Sequence, residues 1–192
     1  MAQANEPDAW TETFLISFMK KGGSAVDMRA LITTYDISGG DKDFQSIANA
    51  KGGRIKNYST QTDYEITLEG YATQSGDGQG FYELINSGSG DTSQPLAFPT
   101  DHDRSEYLLS IEHTTDSSAT SAVAASTQDE RCLRDTFKNG HFVSVNQSFT
   151  DGICKFTLKF KSTPFNKSAA SNVSFESTDG SATSTLPEIT YS

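Results

Sequence analysis

Asp151-Gly152 joins two runs of alternating apolar residues, and this stretch constrains the fold more than any other. A two-residue Asp-Gly loop favours a tight hairpin, because its backbone twist matches that of the strands it connects. In the register it sets, Phe149, Gln147, Val145 and Val143 stand opposite Cys154, Phe156, Leu158 and Phe160. Ser148, Asn146 and Ser144 then face Lys155, Thr157 and Lys159 on the other side. A one-residue slip would invert every side chain, so the pattern predicts one buried face and one polar face.

The same alternation predicts strands elsewhere. Phe14, Ile16 and Phe18 mark a first strand over Thr11 to Lys20, and Lys21-Gly22-Gly23 turns into a long second strand from Ala25 to Ile37. Between Ser38 and Thr62 the period is lost. That stretch reads as an extended loop with at most one helical turn, Asp43 capping Phe44, Ile47 and Ala48 before Gly52. Loops this long inside a compact domain are usually functional or mobile. Tyr64, Ile66 and Leu68 alternate with Asp63, Glu65, Thr67 and Glu69, giving a strand with an acidic face.

Phe81, Leu84 and Ile85 sit at helical spacing and predict a short helix packed on the sheet, and Tyr107 to His113 predicts a further strand. That strand is flanked by linkers around Pro95 and Pro99 and by the low-complexity segment TTDSSATSAVAAS. Gln128 to Lys138 fits a helix, with Thr127 and Glu130 at capping-box spacing, or a strand. Asn139-Gly140 suggests a second tight hairpin, yet that register places Phe137 against Phe142 on the polar face, a conflict that a longer loop, a bulge or a helix must resolve. Asn172 to Ser177 supplies a last short strand, and Leu186 to Ser192 an arm or an edge strand.

At 192 residues the chain suits a single domain, residues 1–192, with one core. A formal charge of -10 opposes nucleic-acid binding, since duplex DNA would be repelled by such a surface. The first residues lack a basic and an apolar signal region, and no apolar run suits a membrane helix, so the expectation is a soluble, unexported protein without membrane insertion. Cys132 and Cys154 lack metal-ligand spacing and read as buried free thiols.

Candidate chemistry is sparse. His102, His113 and His141 have irregular spacings, unlike a zinc site, and Asp101 and Asp103 beside His102 lack the order of a calcium loop. The glycines of SGSGD and GDGQG have no phosphate-loop context, and the Asn-x-Ser sequons at Asn57, Asn146, Asn166 and Asn172 are what a Ser-rich chain produces by chance. Three carboxylates on one strand face are more often a solvated face than a glycosidase pair. The expectation is no catalytic residue, no metal, no cofactor and no enzyme activity. An alternative class is a non-enzymatic β-sandwich binding module or surface adhesin.

The order of features, TTYDISGG, then a variable loop, then GGRIKNYSTQTDYEITLEGYA, a helix, and SFTDGICKFTLKFKSTPFNKSAASNVSFEST, resembles the major tail tube proteins of long-tailed bacterial and archaeal viruses. The resemblance runs from about Thr11 to Thr178. It implies a mainly β fold, an antiparallel β-sandwich or split barrel with a short flanking α-helix. It further implies homohexameric rings stacked into a virion tail tube that viral DNA traverses without sequence-specific binding. Tail terminator, tape-measure and tail-tip proteins would be partners, and assembly would take place in the host cytoplasm.

By the same resemblance, residues 1–10, the loop 38–62 and residues 178–192 become inter-ring contacts, with Asp41, Asp43, Phe44 and Arg54 in the loop. An acidic lining suits DNA passage, because cationic walls would gain counterion-release free energy at each phosphate and retain it. The strand over Asp63 to Gly70 carries the strongest acidic stripe, which places Asp63, Glu65 and Glu69 at the channel wall, with Asp27 and Glu112 beside them. Lys155, Lys159 and Lys161 would either pair with these acids across the sheet or point outward.

Overall fold

The computed structural model describes residues 13–28, 31–48, 50–58, 60–72 and 106–192. Ten strands occur among them: β1 Thr13–Lys20, β2 Ala25–Asp27, β3 Leu31–Ser38, β4 Phe44–Ala48, β5 Arg54–Tyr58, β6 Tyr64–Tyr71, β7 Tyr107–Thr114, β8 Cys132–Thr150, β9 Ile153–Ser162 and β10 Val173–Ser177. All but β4 and β5 join one antiparallel sheet in the order β2-β1-β7-β8-β9-β6-β3, with β10 added to β8. The helix expected around Phe81 to Ile85 lies outside the described residues, as do His102, Asp101 and Asp103. The single long strand expected from Ala25 to Ile37 is two strands, β2 pairing with β1 and β3 with β6.

The sheet folds over because β8 bends. Its first half, Cys132 to Gly140, pairs with β7, and its second half, Gly140 to Thr150, pairs with β9. Apolar residues of β1, β7 and early β8 (Ile16, Phe18, Leu109, Ile111, Phe137) meet those of β6 and β9 (Ile66, Leu68, Phe156, Leu158, Phe160) in one buried core. At the open ends of this split barrel the Phe14 and Tyr35 rings stack at 5.4 Å, and Tyr35 Oη lies 2.8 Å from His113 Nε2, tying β3 to β1 and β7.

Asn139-Gly140 makes this bend and not a hairpin. Tyr107 pairs with Gly140 and Leu109 with Phe137, so β8 carries one extra residue, and Asn139 takes it up at φ 52°. The backbone donors exposed there are satisfied locally: Lys138 N–H donates to the Asn172 carbonyl at 2.7 Å, and Asn139 N–H to Tyr191 Oη at 3.1 Å. Gly140 is required by close approach, since a Cβ there would fall 2.3 Å from the Phe160 ring and 2.6 Å from the Lys161 carbonyl. Gly140→Ala should therefore cost about 3 kcal/mol through overpacking, a Tm loss of roughly 6–12 °C by differential scanning calorimetry.

A second bulge resolves the conflict around Phe142. Phe142, not Val143, faces Phe160, and pairing resumes at Ser144 with Lys159. The extra residue, Val143, is left 45% exposed, whereas the Phe142 ring turns inward against Phe18 at 5.0 Å and Phe160 at 5.1 Å. From Ser144 to Thr150 the register is the one expected from Asp151-Gly152.

The outer face of β1, β7 and β8 is covered. Residues 116–127, within the low-complexity segment, run back across it with Ala122 and Val123 buried, and the C-terminal segment adds Leu186, Ile189 and Tyr191. The two covers bond to each other, Ile189 N–H donating to the Val123 carbonyl at 2.8 Å and Ser126 N–H to that of Leu186 at 3.0 Å. Beneath them lies a polar layer in which Arg134 is fully buried, its Nη atoms donating to the carbonyls of Ala124 and Pro187 and to Glu176.

Candidate functional surfaces

The outer face of β6 and β9 carries the acidic stripe together with its counter-charges. Glu65 stands opposite Lys161, and Tyr71 opposite Lys155, with Thr67 and Lys159 between them. Glu65 accepts from Lys159 Nζ and from Lys161 Nζ, each at 2.9 Å, and Glu69 lies 3.7 Å from Lys155 Nζ. Of the two expected arrangements, the lysines adopt pairing across the sheet. With Asp36 on β3, the face sums to three carboxylates and three ammonium groups among hydroxyl side chains such as Thr34, Thr67 and Thr157.

Hydrogen bonds from Lys159 and Lys161 hold the Glu65 carboxyl down to about 2, and the bond to Glu65 raises Lys161. A depressed carboxyl contributes stability that is present above its unfolded value and lost as pH falls through the folded one. The pairing should thus be intact above about pH 4.3 and vanish towards pH 2. A carbon-detected NMR titration should place the Glu65 midpoint near 2, and Lys159→Met with Lys161→Met should return it to the ordinary carboxylate range.

Of the five expected wall acids, Glu65 and Glu69 share this face and Asp63, Asp27 and Glu112 do not. Asp63 lies just before β6, lining a cleft of about 600 Å³ with Lys161, His141 and the ion-paired Lys21 and Glu106. Asp27 is on the opposite sheet half, where its Oδ1 accepts from Ser17 Oγ at 2.5 Å. Glu112 is only 3% exposed, beneath the 116–127 cover, which corrects its expected place at a channel wall. Sequence alternation could not reveal this, because a covering loop buries a polar strand face without altering its period.

The segment 38–62 is not the loop expected. Its centre is a hairpin, β4 paired to β5 from Phe44 with Tyr58 to Ala48 with Arg54, forming its own two-stranded sheet. Phe44 therefore starts a strand just after Asp43, which does not cap a helical turn. Phe44 is 51% exposed and Ile47 63%, while Arg54 Nη1 donates to Ser46 Oγ at 2.7 Å. At the base, Asp41 and Thr62 are joined by backbone bonding, and Gly39 and Gly40 run at positive φ against Asp63 and Tyr64.

Both cysteines are free and buried, at opposite ends of β8 and β9, and burial with the neighbouring Glu112 pushes the Cys132 thiol up to about 12. Such a thiol is inert. Among the described residues no group of three or more His, Cys, Asp and Glu side chains is placed to hold a metal ion, and no helix is long and apolar enough to cross a membrane. The Ser162 hydroxyl beside the cleft is committed to the Lys138 carbonyl at 2.6 Å.

No protein-family model matches the sequence, and no curated protein matches it. Solved structures do resemble the fold. A chain of the six-fold-symmetrised baseplate of the anti-feeding prophage aligns at TM-score 0.51 and 9% identity, covering 89% of this chain and 97% of its own. A chain of the extended sheath-tube complex of the extracellular contractile injection system PVC aligns at 0.45 and 12%, covering 90% and 93%. One from the anti-feeding prophage tube-terminating cap aligns at 0.41 and 13%, covering 92% and 99%. The baseplate alignment supports the sandwich architecture over nearly the whole chain.

Proposed function

We propose that this chain is a non-enzymatic structural subunit of a virion tail, six copies closing into a ring and rings stacking into a tube that viral DNA traverses. The observation that carries the reading is the β4–β5 hairpin. It stands as its own two-stranded sheet with Phe44 and Ile47 exposed, and an isolated two-stranded hairpin is marginal in water without something to pack on. A neighbouring ring supplies that support, with Asp41, Asp43, Phe44 and Arg54 in the contact. The fold likeness to a chain of a six-fold particle agrees with this.

Ring closure also disposes of the sheet edges that β2 and β3 present, among the described residues, at the two ends of the strand order. The outer face of β6 and β9 lines the channel in this reading. Each lysine there is held by a glutamate, so the wall presents few free ammonium groups to phosphate and gains little from releasing DNA counterions. Residues 1–10 and the exposed part of 178–192 add ring-to-ring contacts, and terminator, tape-measure and tail-tip proteins cap the assembly made in the host cytoplasm.

Size-exclusion chromatography with light scattering and negative-stain microscopy test this directly. Annular or tubular particles are expected as concentration or salt is raised, and a monomer under all such conditions overturns the reading.

A further inference from the structure

At the 116–127 cover lies a small cavity of about 160 Å³ whose lining side chains bear oxygen at all positions but Ala119, Ala124 and Ala125. Glu112 enters it from β7, and Asp116, Ser118, Ser121 and Thr127 from the cover. The Asp116 carboxylate is fixed and kept ionised by hydrogen bonds, Oδ1 accepting from Ser118 Oγ at 2.6 Å and from its N–H at 2.7 Å, and Oδ2 from Thr127 Oγ1 at 2.5 Å. Glu112 is only 3% exposed, and its Oε2 has no hydrogen-bond partner among the described residues.

Two carboxylates thus line one cavity, and one of them has an oxygen without a partner among the described residues. Leaving such a group buried is expensive unless a proton, a cation or ordered water completes it. Arg134, opposite Glu112 on β8, does not line the cavity, and its Nη atoms bond Ala124, Pro187 and Glu176, which leaves only Nε without a partner among the described residues. Burial pushes the Glu112 carboxyl up, against the Cys132 hydrogen bond and the Arg134 charge, with a smaller upward push from the Asp116 charge.

We propose that this cavity binds one hard divalent cation of the calcium class, with Glu112 and Asp116 as charged ligands and the cover's hydroxyl and carbonyl oxygens completing the shell. All-oxygen coordination with hydroxyl, carbonyl and water ligands is what such a cation takes. The cation would fasten residues 116–127 to β7, and so stabilise the covered face that the C-terminal segment also packs upon. The site is independent of ring assembly.

The competing arrangement is a water bridging Glu112 Oε2 to Arg134 Nε, the other buried atom without a partner among the described residues. Equilibrium dialysis of the full chain against calcium chloride, after chelator treatment and at ionic strength matched with sodium chloride, separates the two. One calcium per chain is expected, with Tm raised by roughly 5–10 °C at a hundredfold excess over Kd. Glu112→Gln should weaken binding at least tenfold, and Asp116→Asn gives a second variant should the first fail to fold. Absence of calcium uptake and of any Tm change in the wild-type chain overturns the proposal in favour of the water bridge. Uptake that survives Glu112→Gln or Asp116→Asn unchanged also overturns it, by locating the ions on the acidic surface.

Discussion

Replacing Asp41–Arg54 with a short Gly-Ser linker is expected to leave folded subunits that no longer stack. The hairpin forms its own two-stranded sheet, so its removal takes no strand from the eight-stranded one and no residue from the buried core cluster. The wild-type Tm should therefore be retained within a few degrees. Loss of the hairpin removes Phe44 and Ile47, which are 51% and 63% exposed. Burying such side chains contributes about 1.5–3 kcal/mol each. Repeated around a ring, that loss is enough to abolish stacking at any practical concentration. Negative-stain microscopy should show rings or free subunits and no tubes. Tubes of ordinary length from this variant would remove the hairpin from the inter-ring contact.

What was legible in the sequence follows from what burial does to a pattern. The Asp151-Gly152 hairpin was legible because Leu158 and Phe156 are buried, and Val145 half-buried, on one side only, and period two reports that asymmetry. The reading failed at Val143, where a bulge adds one residue and shifts Phe142 inward; the aromatic pair Phe137 and Phe142 on a nominally polar face was the available sign of it. The β4–β5 hairpin was illegible for a related reason. Phe44 and Ile47 are three residues apart and both exposed, so no alternation marks that strand.

The covered polar layer was missed altogether. Ser17, Ser110, Glu112, Arg134 and Thr136 occupy alternate positions that read as a solvent face, yet all are buried by a Ser- and Ala-rich segment of low complexity. Small side chains allow that segment to lie close to the sheet, where Ala122 N–H donates to Ser17 Oγ and the Ala122 carbonyl accepts from Ser110 Oγ, each at 2.8 Å. Of the expected acidic stripe, Glu65 and Glu69 lie on one face of β6, while Asp63 lies before the strand and lines the cleft. The stripe's neutralisation needed the β6–β9 register, which no local pattern supplies.

Reversing that stripe is expected to turn a non-retaining wall into a DNA-binding one. Asp63→Lys, Glu65→Lys and Glu69→Lys together remove the acceptors that hold Lys155, Lys159 and Lys161 and add three further cations to the same region. Six subunits per ring would then offer a cationic girdle in place of a charge-balanced one. Binding that engages about six phosphates falls roughly 10³-fold between 50 and 200 mM salt, which gives the effect a signature that altered folding would not share. Assembled variant tubes should co-sediment with linear duplex DNA at 50 mM salt and release it at 200 mM, whereas wild-type tubes should retain none at either. Glutamine at the same three positions is the control for charge reversal, since it frees the native lysines without adding others and should give weaker retention with the same salt trend. Variant tubes that assemble and retain no more DNA than wild type would place this face outside the channel.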